Sequence, residues 1–487
     1  VGKFVCMKEA YLIIDIGTGN ARAAVVTPGG ELLAIHRENI IYHKDEHYPE
    51  ALYFDPAQLW EQVCRIASCA VKKAGDISIL AVTSTSQREG IVLLDKMGNS
   101  SIGLPNIDHR GREWESMITD RSRVYELAGR YPTSLFSVMK LHGVRWRRKD
   151  IWQQLDSFTS ISDWIGYKLS GIVGYEHSQA SETLLYDVAQ KCWSDELCRL
   201  YQVEQALLPQ LVDSGTVLGM IQPDAAKMLG LSPDAKVVVG GGDTQLAVMG
   251  AYPDTDDVVI VSGTTTPVIK LTDRYITDRQ ERTWTGRHID AGSFMFEANA
   301  GVTGLNYQRL KEIFYPNEGY DVIEKELSEL KDFQCIASLG SLLADEKKPL
   351  TKGGFIFDAP VSHHLTRAGF VWATLWDIAC SIYENYNTLH SVSAHEKDYV
   401  WACGGGMESH TLRLFIAGLT RKKVLMRDNY RQSSAAGGVI LCNKALGREE
   451  ASPGLPDVIT PASDSNYHGF YTEWKKTRSS LRQIFTT

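Results

Sequence analysis

Apolar residues open the chain in a strand-and-turn rhythm. Residues 11–16 (YLIIDI) and 21–27 (ARAAVVT) are short apolar runs separated by the turn GTGN, and residues 31–37 resume after TPGGE. This pattern predicts three strands joined by tight turns, an antiparallel meander. A helix follows. Leu59, Trp60, Val63, Ile66 and Ala70 recur at helical spacing, Asp55 and Pro56 suit its start, and Gly75 suits its end. Residues 77–83 (ISILAVT) read as a buried strand ending in the polar stretch STSQREG, and residues 91–95 are expected to resume the same sheet. Strands alternating with helices in this way indicate an α/β unit.

From about Leu104 to Val212 the pattern predicts a helical stretch rich in Trp, Arg and Tyr. A strong apolar strand at 237–240 then leads into GGGDTQLAVMGAY. Residues 258–271 (VVIVSGTTTPVIKL) repeat the strand, Gly-Thr turn and strand of residues 12–26, about 245 positions later. An irregular region is expected to about Thr366. After it come a long helix at 371–391, a strand at 400–403 running into GGGMES, a helix at 411–419, a strand at 423–426 and a small-residue helix at 433–446. The junction is expected between Gly250 and Asp257, which gives two domains, 1–252 and 253–487.

The totals narrow the class. At 487 residues the chain holds material for two to four units, and 44% hydrophobic with 23% charged residues is the composition of a soluble globular protein. A net charge of -8 argues against nucleic acid as the main partner, and RWRRK at 145–149 reads as a solvated helix face. No run approaches the roughly 18 apolar residues of a membrane span. The first residues, VGKFVCMKEA, lack a signal-peptide core, and the nine cysteines are scattered without a C-x-x-C pair. A reducing, cytoplasmic location is the expectation.

The glycine turn at 17–20 joins strand to strand. A Walker loop or a dinucleotide fingerprint joins strand to helix, so neither reading applies. Two hairpins with Gly-Thr turns, one in each half, together with GGGD and ACGGG, resemble the two phosphate loops of the actin-like ATPase superfold and, within it, the FGGY family of carbohydrate kinases. The resemblance runs from about Tyr11 to Leu446. It implies an α/β protein of two actin-like (ribonuclease H-like) domains with an interdomain cleft, using ATP and Mg²⁺.

Within that frame, Gly17 and Gly19 are expected to take conformations closed to larger residues, so that backbone amides approach the phosphates. Thr18 and Asn20 add donors, Arg22 reaches a phosphate oxygen, and Asp15 is suited to hold Mg²⁺ through water. Gly263, Thr264 and Thr265 would cradle the phosphates from the opposite wall. By resemblance Asp243 is the base that orients the attacking hydroxyl and lies beside the metal; a helix cap is the other reading of an Asp there. Gly404, Gly405 and Gly406, with Met407 and Ser409, would line the adenosine. Relatives often carry A-K-S where this chain has Met407-Glu408-Ser409, and Glu where it has Gln432, so the strictness of the ATP preference stays open.

On the substrate side, Gln87, Arg88 and Glu89 form the triplet that glycerol kinases carry, and Arg88 and Glu89 offer the opposite hydrogen-bonding roles that a polyol needs. Asp108 in NIDHR resembles a sugar-contacting Asp of xylulokinases; a solvated loop carboxylate is the alternative. Glycerol kinases place a Tyr where this chain has Leu135. REGIVL, NIDHRG and ISDWIGYKLSG look most like autoinducer-2 kinases, with Asp163 in the last expected to serve the fold rather than the sugar. The expected activity is therefore transfer of the ATP γ-phosphate to a hydroxyl of a small sugar or polyol, best matched by a linear C5 compound of autoinducer-2 or ketopentose type. The alternatives are a glycerol kinase-like enzyme, a non-enzymatic actin- or chaperone-like ATPase, and a sugar-binding pseudokinase. A homodimer is the default assembly.

Overall fold

The computed structural model describes residues 7–290, 292–330, 333–346, 348–449, 453–462 and 466–485. The opening meander forms as expected, from Lys8–Ile16, Asn20–Val26 and Leu32–Asn39. Its helix spans Pro56–Ala74; the Asp55 carboxylate accepts from the amides of Ala57 and Gln58, and Gly75 ends it at φ 82°. The apolar stripe of that helix, with Trp164 and Ile165 from the helix Ile161–Ser170, packs on one face of the first sheet.

That sheet has six strands in the order Val217–Met220, Lys236–Gly242, Ile77–Ser86, Lys8–Ile16, Asn20–Val26, Leu32–Asn39. Reading from the meander edge, the pairings run antiparallel, antiparallel, parallel, parallel, antiparallel. The second sheet repeats this series with Phe294–Val302, Thr265–Thr272, Val258–Val261, Tyr399–Cys403, Lys423–Met426 and Asp457–Ile459. It adds one antiparallel edge strand, Trp284–Arg287. The long helix Arg367–Val392 and the helix His410–Thr420 cover its outer face. The repeated hairpin read from the sequence is thus part of a repeated sheet.

Three expectations are corrected. Residues 91–95 do not resume the first sheet; Ile91–Asp95 pairs with Ser100–Leu104 and Leu155–Ser160 in a separate three-stranded sheet. The middle stretch is therefore not wholly helical, since Leu155–Ser160 lies within it. The region expected to be irregular holds the third strand of the second meander, Phe294–Val302, and the helices Gly304–Phe314 and Tyr320–Glu329.

Two helices cross between the sheets. The helix Asp243–Gly250 follows a first-sheet strand, yet Ala247, Val248 and Ala251 pack with Val259, Ile269 and Trp401 of the second. Ser433–Ala445 follows a second-sheet strand, yet Ala435, Val439 and Cys442 pack with Tyr11, Ile13, Ala81 and Val238 of the first. They touch backbone to backbone. A Cβ on Gly250 would lie 2.1 Å from the Ser433 oxygen, and one on Gly437 would lie 2.1 Å from that of Leu246, so both positions require glycine.

Candidate active site

The two Gly-Thr turns follow the strands Lys8–Ile16 and Val258–Val261, the matching positions of the two sheets. Asp15 is the penultimate residue of the strand Lys8–Ile16 and is 5% exposed. Its Oδ2 accepts from Arg22 Nη2 at 2.7 Å and from Ser434 Oγ at 2.9 Å, which brings the crossing helix to the turn. Its Oδ1 is buried with no hydrogen-bond partner. Asp243 is the first residue of its helix, with Gly242 as the cap position, and its Oδ1 accepts from the Thr244 amide and hydroxyl at 2.6 and 3.1 Å. The capping reading of Asp243 is corrected: Gly242 holds the cap position, no side chain caps the helix, and the Asp243 carboxylate accepts only from its neighbour Thr244. Burial first, then the Asp15 charge, push the Asp243 carboxyl up to about 6, against the opposing pull of Arg88. It is ionised at neutral pH but more basic than a free aspartate.

Among the described residues no three His, Cys, Asp or Glu side chains converge as a metal site. Mg²⁺ needs no such cage, because it keeps several waters and binds through one or two carboxylates plus substrate phosphates. The unsatisfied, buried Asp15 Oδ1 beside Asp243 fits that requirement.

The first turn is braced by side chains of the first half of the chain. Tyr42 Oη donates to the Thr18 carbonyl at 2.8 Å, and Gln87 Nε2 donates to that of Gly17 at 3.2 Å. Gln87 Oε1 accepts the Asn106 amide at 2.8 Å, while Asn106 Nδ2 donates to Thr18 Oγ1 at 2.9 Å. Gln87 is 1% exposed and spends its amide on this brace. The conformational expectation for Gly17 and Gly19 is corrected. Neither has a left-handed backbone; a Cβ on Gly17 meets nothing closer than 3.5 Å, and one on Gly19 meets nothing within 4 Å. What glycine leaves there is open space. Asn20 starts the second strand, and its carbonyl closes the turn on the Gly17 amide at 3.0 Å.

Arg88, whose charge acts on Asp243, is followed by Glu89. Arg88 donates to both oxygens of Glu297, on the second sheet, at 2.6 and 2.9 Å, and Glu182 Oε1 lies 3.8 Å away. Glu89 holds φ 61°, a strained value for a non-glycine residue, with its carbonyl fixed by Ser137 Oγ at 3.0 Å. Burial and the Glu182 charge push its carboxyl well up. Lys140, fully buried, donates to the Leu135 carbonyl, and burial pushes its ammonium down against the pull of Asp108 and Glu89. Asp108 is buried too: Oδ1 accepts the Leu52 amide at 3.0 Å and Oδ2 accepts Arg110 Nε at 2.7 Å. The solvated-loop reading of Asp108 is thereby excluded. Asp163 is tied to Ser160 Oγ at 2.6 Å and the Glu176 amide at 3.0 Å, a fold-serving role.

The second turn leaves Gly263, Thr264 and Thr265 exposed. Behind it the Gly406 amide donates to the Ser262 carbonyl at 2.9 Å. Gly404 at φ 95° and Gly406 approach so closely that a Cβ would lie 2.3 Å from Ser262 O and 2.1 Å from Ser262 Oγ. Gly263, Thr264, Gly405, Gly406 and Ser409, with Tyr320 and Glu324, line a cavity of about 310 Å³. Ser409 Oγ donates to Glu324 at 2.5 Å. Met407 does not join this wall: its side chain is wholly buried in the second core, so only its backbone is available there.

Sequence reasoning missed Ser434, Glu297 and Lys140. A lone Glu in the apolar strand FMFEANAGV and a lone Lys in the buried helix SVMKLHGV were the available signals. Ser434 offered none beyond its neighbours in RQSSAAGG.

Residues 10–250 match the N-terminal domain of the FGGY family of carbohydrate kinases. "Putative sugar kinase YoaC" of Bacillus subtilis is 49% identical over 473 residues, covering 97% of each chain. An autoinducer-2 kinase of Escherichia coli is 28% identical over 320 residues, 64% of this chain and 60% of that one. Among solved structures, a xylulose kinase from Lactobacillus acidophilus aligns with a TM-score of 0.85 at 16% identity, covering 98% of this chain and 99% of that one. Plasmodium falciparum glycerol kinase with ADP aligns with a TM-score of 0.82 at 16% identity, covering 98% of each. These structures share the two-domain actin-like fold. With a near full-length relative at this identity, the chain belongs to the FGGY family of carbohydrate kinases.

Proposed function

We propose that this sugar kinase transfers the γ-phosphoryl group of ATP to a terminal hydroxyl of a short, linear polyhydroxylated compound of the autoinducer-2 or ketopentose type. The observation that carries the reading is the electrostatically interacting pair Asp15 and Asp243, in a chain whose two Gly-Thr turns carry glycines, Gly17, Gly19 and Gly263, that leave space free of close protein contacts. Phosphoryl transfer asks a protein mainly for positioning and charge compensation. The ionised Asp243 carboxylate orients the hydroxyl and takes its proton late, which a loose transition state allows. Asp15 and Asp243 would hold Mg²⁺, which neutralises charge on the phosphates when bound. Thr18, Asn20 and Arg22 from one wall, and Thr264 and Thr265 from the other, supply donors to the phosphates. Gly404 to Gly406 with Ser409 form the adenosine wall.

Glu89, unpaired by any hydrogen bond to its carboxyl among the described residues, is the group best placed to accept from a substrate hydroxyl; Arg88, Gln87 and Asp108 hold the surrounding frame. Leu135 in place of an aromatic side chain disfavours glycerol. The domain boundary is placed at 252/253, with the Ser433–Ala445 helix shared. The test is an ADP-release screen across C3 to C7 polyols, ketoses, aldonates and the autoinducer-2 precursor, with Asp243→Asn as blank. The reading expects the highest kcat/KM on a linear C5 compound; a preference for glycerol, or ADP release indifferent to every polyol, overturns it.

A further inference from the structure

The cavity behind the second turn is built from the second half of the chain, with one exception. Arg37, on the strand Leu32–Asn39 of the first sheet, reaches across the cleft to line it. It is the one Lys or Arg among the described lining residues. The two lining carboxylates are already engaged. Glu324 accepts from Ser409 Oγ and from the amide and hydroxyl of Thr411, and Glu408 pairs with Arg431 at 2.7 Å. The Arg37 guanidinium itself makes no hydrogen bond or ion pair among the described residues. Its place in the sheet adds a second observation. Arg37 lies directly opposite Arg22 in the antiparallel register. Like charges in that relation repel. Arg22 turns one nitrogen to Asp15, while its Nε is buried with no partner. Two arginines side by side, one with an orphaned donor and one wholly unpaired, lack only an anion.

We infer that Arg37 binds a phosphate of the nucleoside di- or triphosphate from across the cleft, next to Arg22. It is a nucleotide-positioning residue supplied by the half of the chain that otherwise serves the substrate. The inference rests on the reading of this cavity as the nucleotide site. A contact from the opposite wall also makes nucleotide affinity depend on how closely the two sheets approach.

The test compares binding of adenosine, ADP and ATP by calorimetry with Mg²⁺ present, in the wild type, Arg37→Gln, Arg37→Lys and Gly405→Leu. A charge-assisted contact predicts that Arg37→Gln weakens ADP and ATP roughly ten- to hundredfold and leaves adenosine within about twofold, with Arg37→Lys intermediate. An unchanged ADP affinity, or an equal loss for adenosine, overturns the inference. Gly405→Leu separates the two levels, because Gly405 lines the cavity and no protein atom lies within 4 Å of a Cβ there, so the added side chain takes up space that adenosine would need. If it abolishes adenosine binding while Arg37→Gln has no effect, only the arginine is wrong. If it leaves adenosine binding intact, the cavity is not the nucleotide site, and both readings fall.

Discussion

The two Gly-Thr turns sit at equivalent places in sheets with the same series of strand directions, yet their surroundings differ. The first is wrapped by side chains: Tyr42, Gln87 and Asn106 hold its backbone and threonine, and Asp15 and Arg22 stand at its root. The second is exposed on one side and backed by main chain on the other, with amides of Gly406, Thr303 and Leu305 donating to its carbonyls. Geometry was duplicated and chemistry was not. A phosphate seat needs backbone amides and room, which both turns offer. On the proposed reading, charge at the reacting end is needed once, and it gathers in the first half.

The strongest way to break this contrast is Asp243→Asn. On the proposed reading the first half then loses its base, so turnover should fall by about 10²–10⁴-fold while ATP affinity is kept. Coupled ADP release and calorimetry measure the two separately, and sustained turnover would move the chemistry elsewhere. Next in size is Gly404→Ala. A Cβ at φ 95° pressed against Ser262 should cost about 1–3 kcal/mol of stability and weaken ATP, since the backing of the second turn shifts. Gly19→Ala is its counterpart. With no protein atom within 4 Å, it should leave thermal unfolding unchanged and raise the KM for ATP several-fold. An unchanged KM would mean that the first turn seats no phosphate.

The smallest effect concerns a buried carboxylate of the first half. Asp163 is pushed up to about 7 by burial and then by Glu176, with no cationic side chain among its hydrogen-bond donors. A folded-state value raised above the unfolded one gives stability that is full below the unfolded pKa and is lost as pH rises through the folded one. The melting temperature should therefore decline between about pH 4 and 7, and Asp163→Asn should flatten part of that decline by about 2–4 °C. Its Oδ1 can still accept from Ser160 and Glu176. Asp377 in the second half differs, with Arg478 4.0 Å away and Trp474 Nε1 donating at 2.9 Å. The same substitution at Asp377 should flatten the pH dependence less.

Local pattern was enough for the meander, the Pro56–Ala74 helix and both hairpins, because each is set by period, cap and turn within a few residues. It failed where pairing is distant. Ile91–Asp95 is fixed by Leu155–Ser160, sixty residues on, and no property of its own run distinguishes that partner from the first sheet. Phe294–Val302 was hidden by Glu297 and Asn299, polar residues whose presence makes sense only once Arg88 arrives from the other half. The site divides the same way. Asp15, Asp243 and the glycines lie in contiguous motifs and were legible, whereas Ser434 reaches Asp15 across 419 positions. Gly17 and Gly19 were found for the wrong reason: their value lies in vacancy, and no backbone strain demands them.

The crossed helices bear on how this chain can be divided. Each half lends the other the helix that lines its inner face, so a fragment ending near residue 252 would bare Tyr11, Ile13, Ala81 and Val238 to water. Neither piece is then a self-sufficient folding unit, and a nick at the junction should leave two fragments that stay associated and are recovered only together.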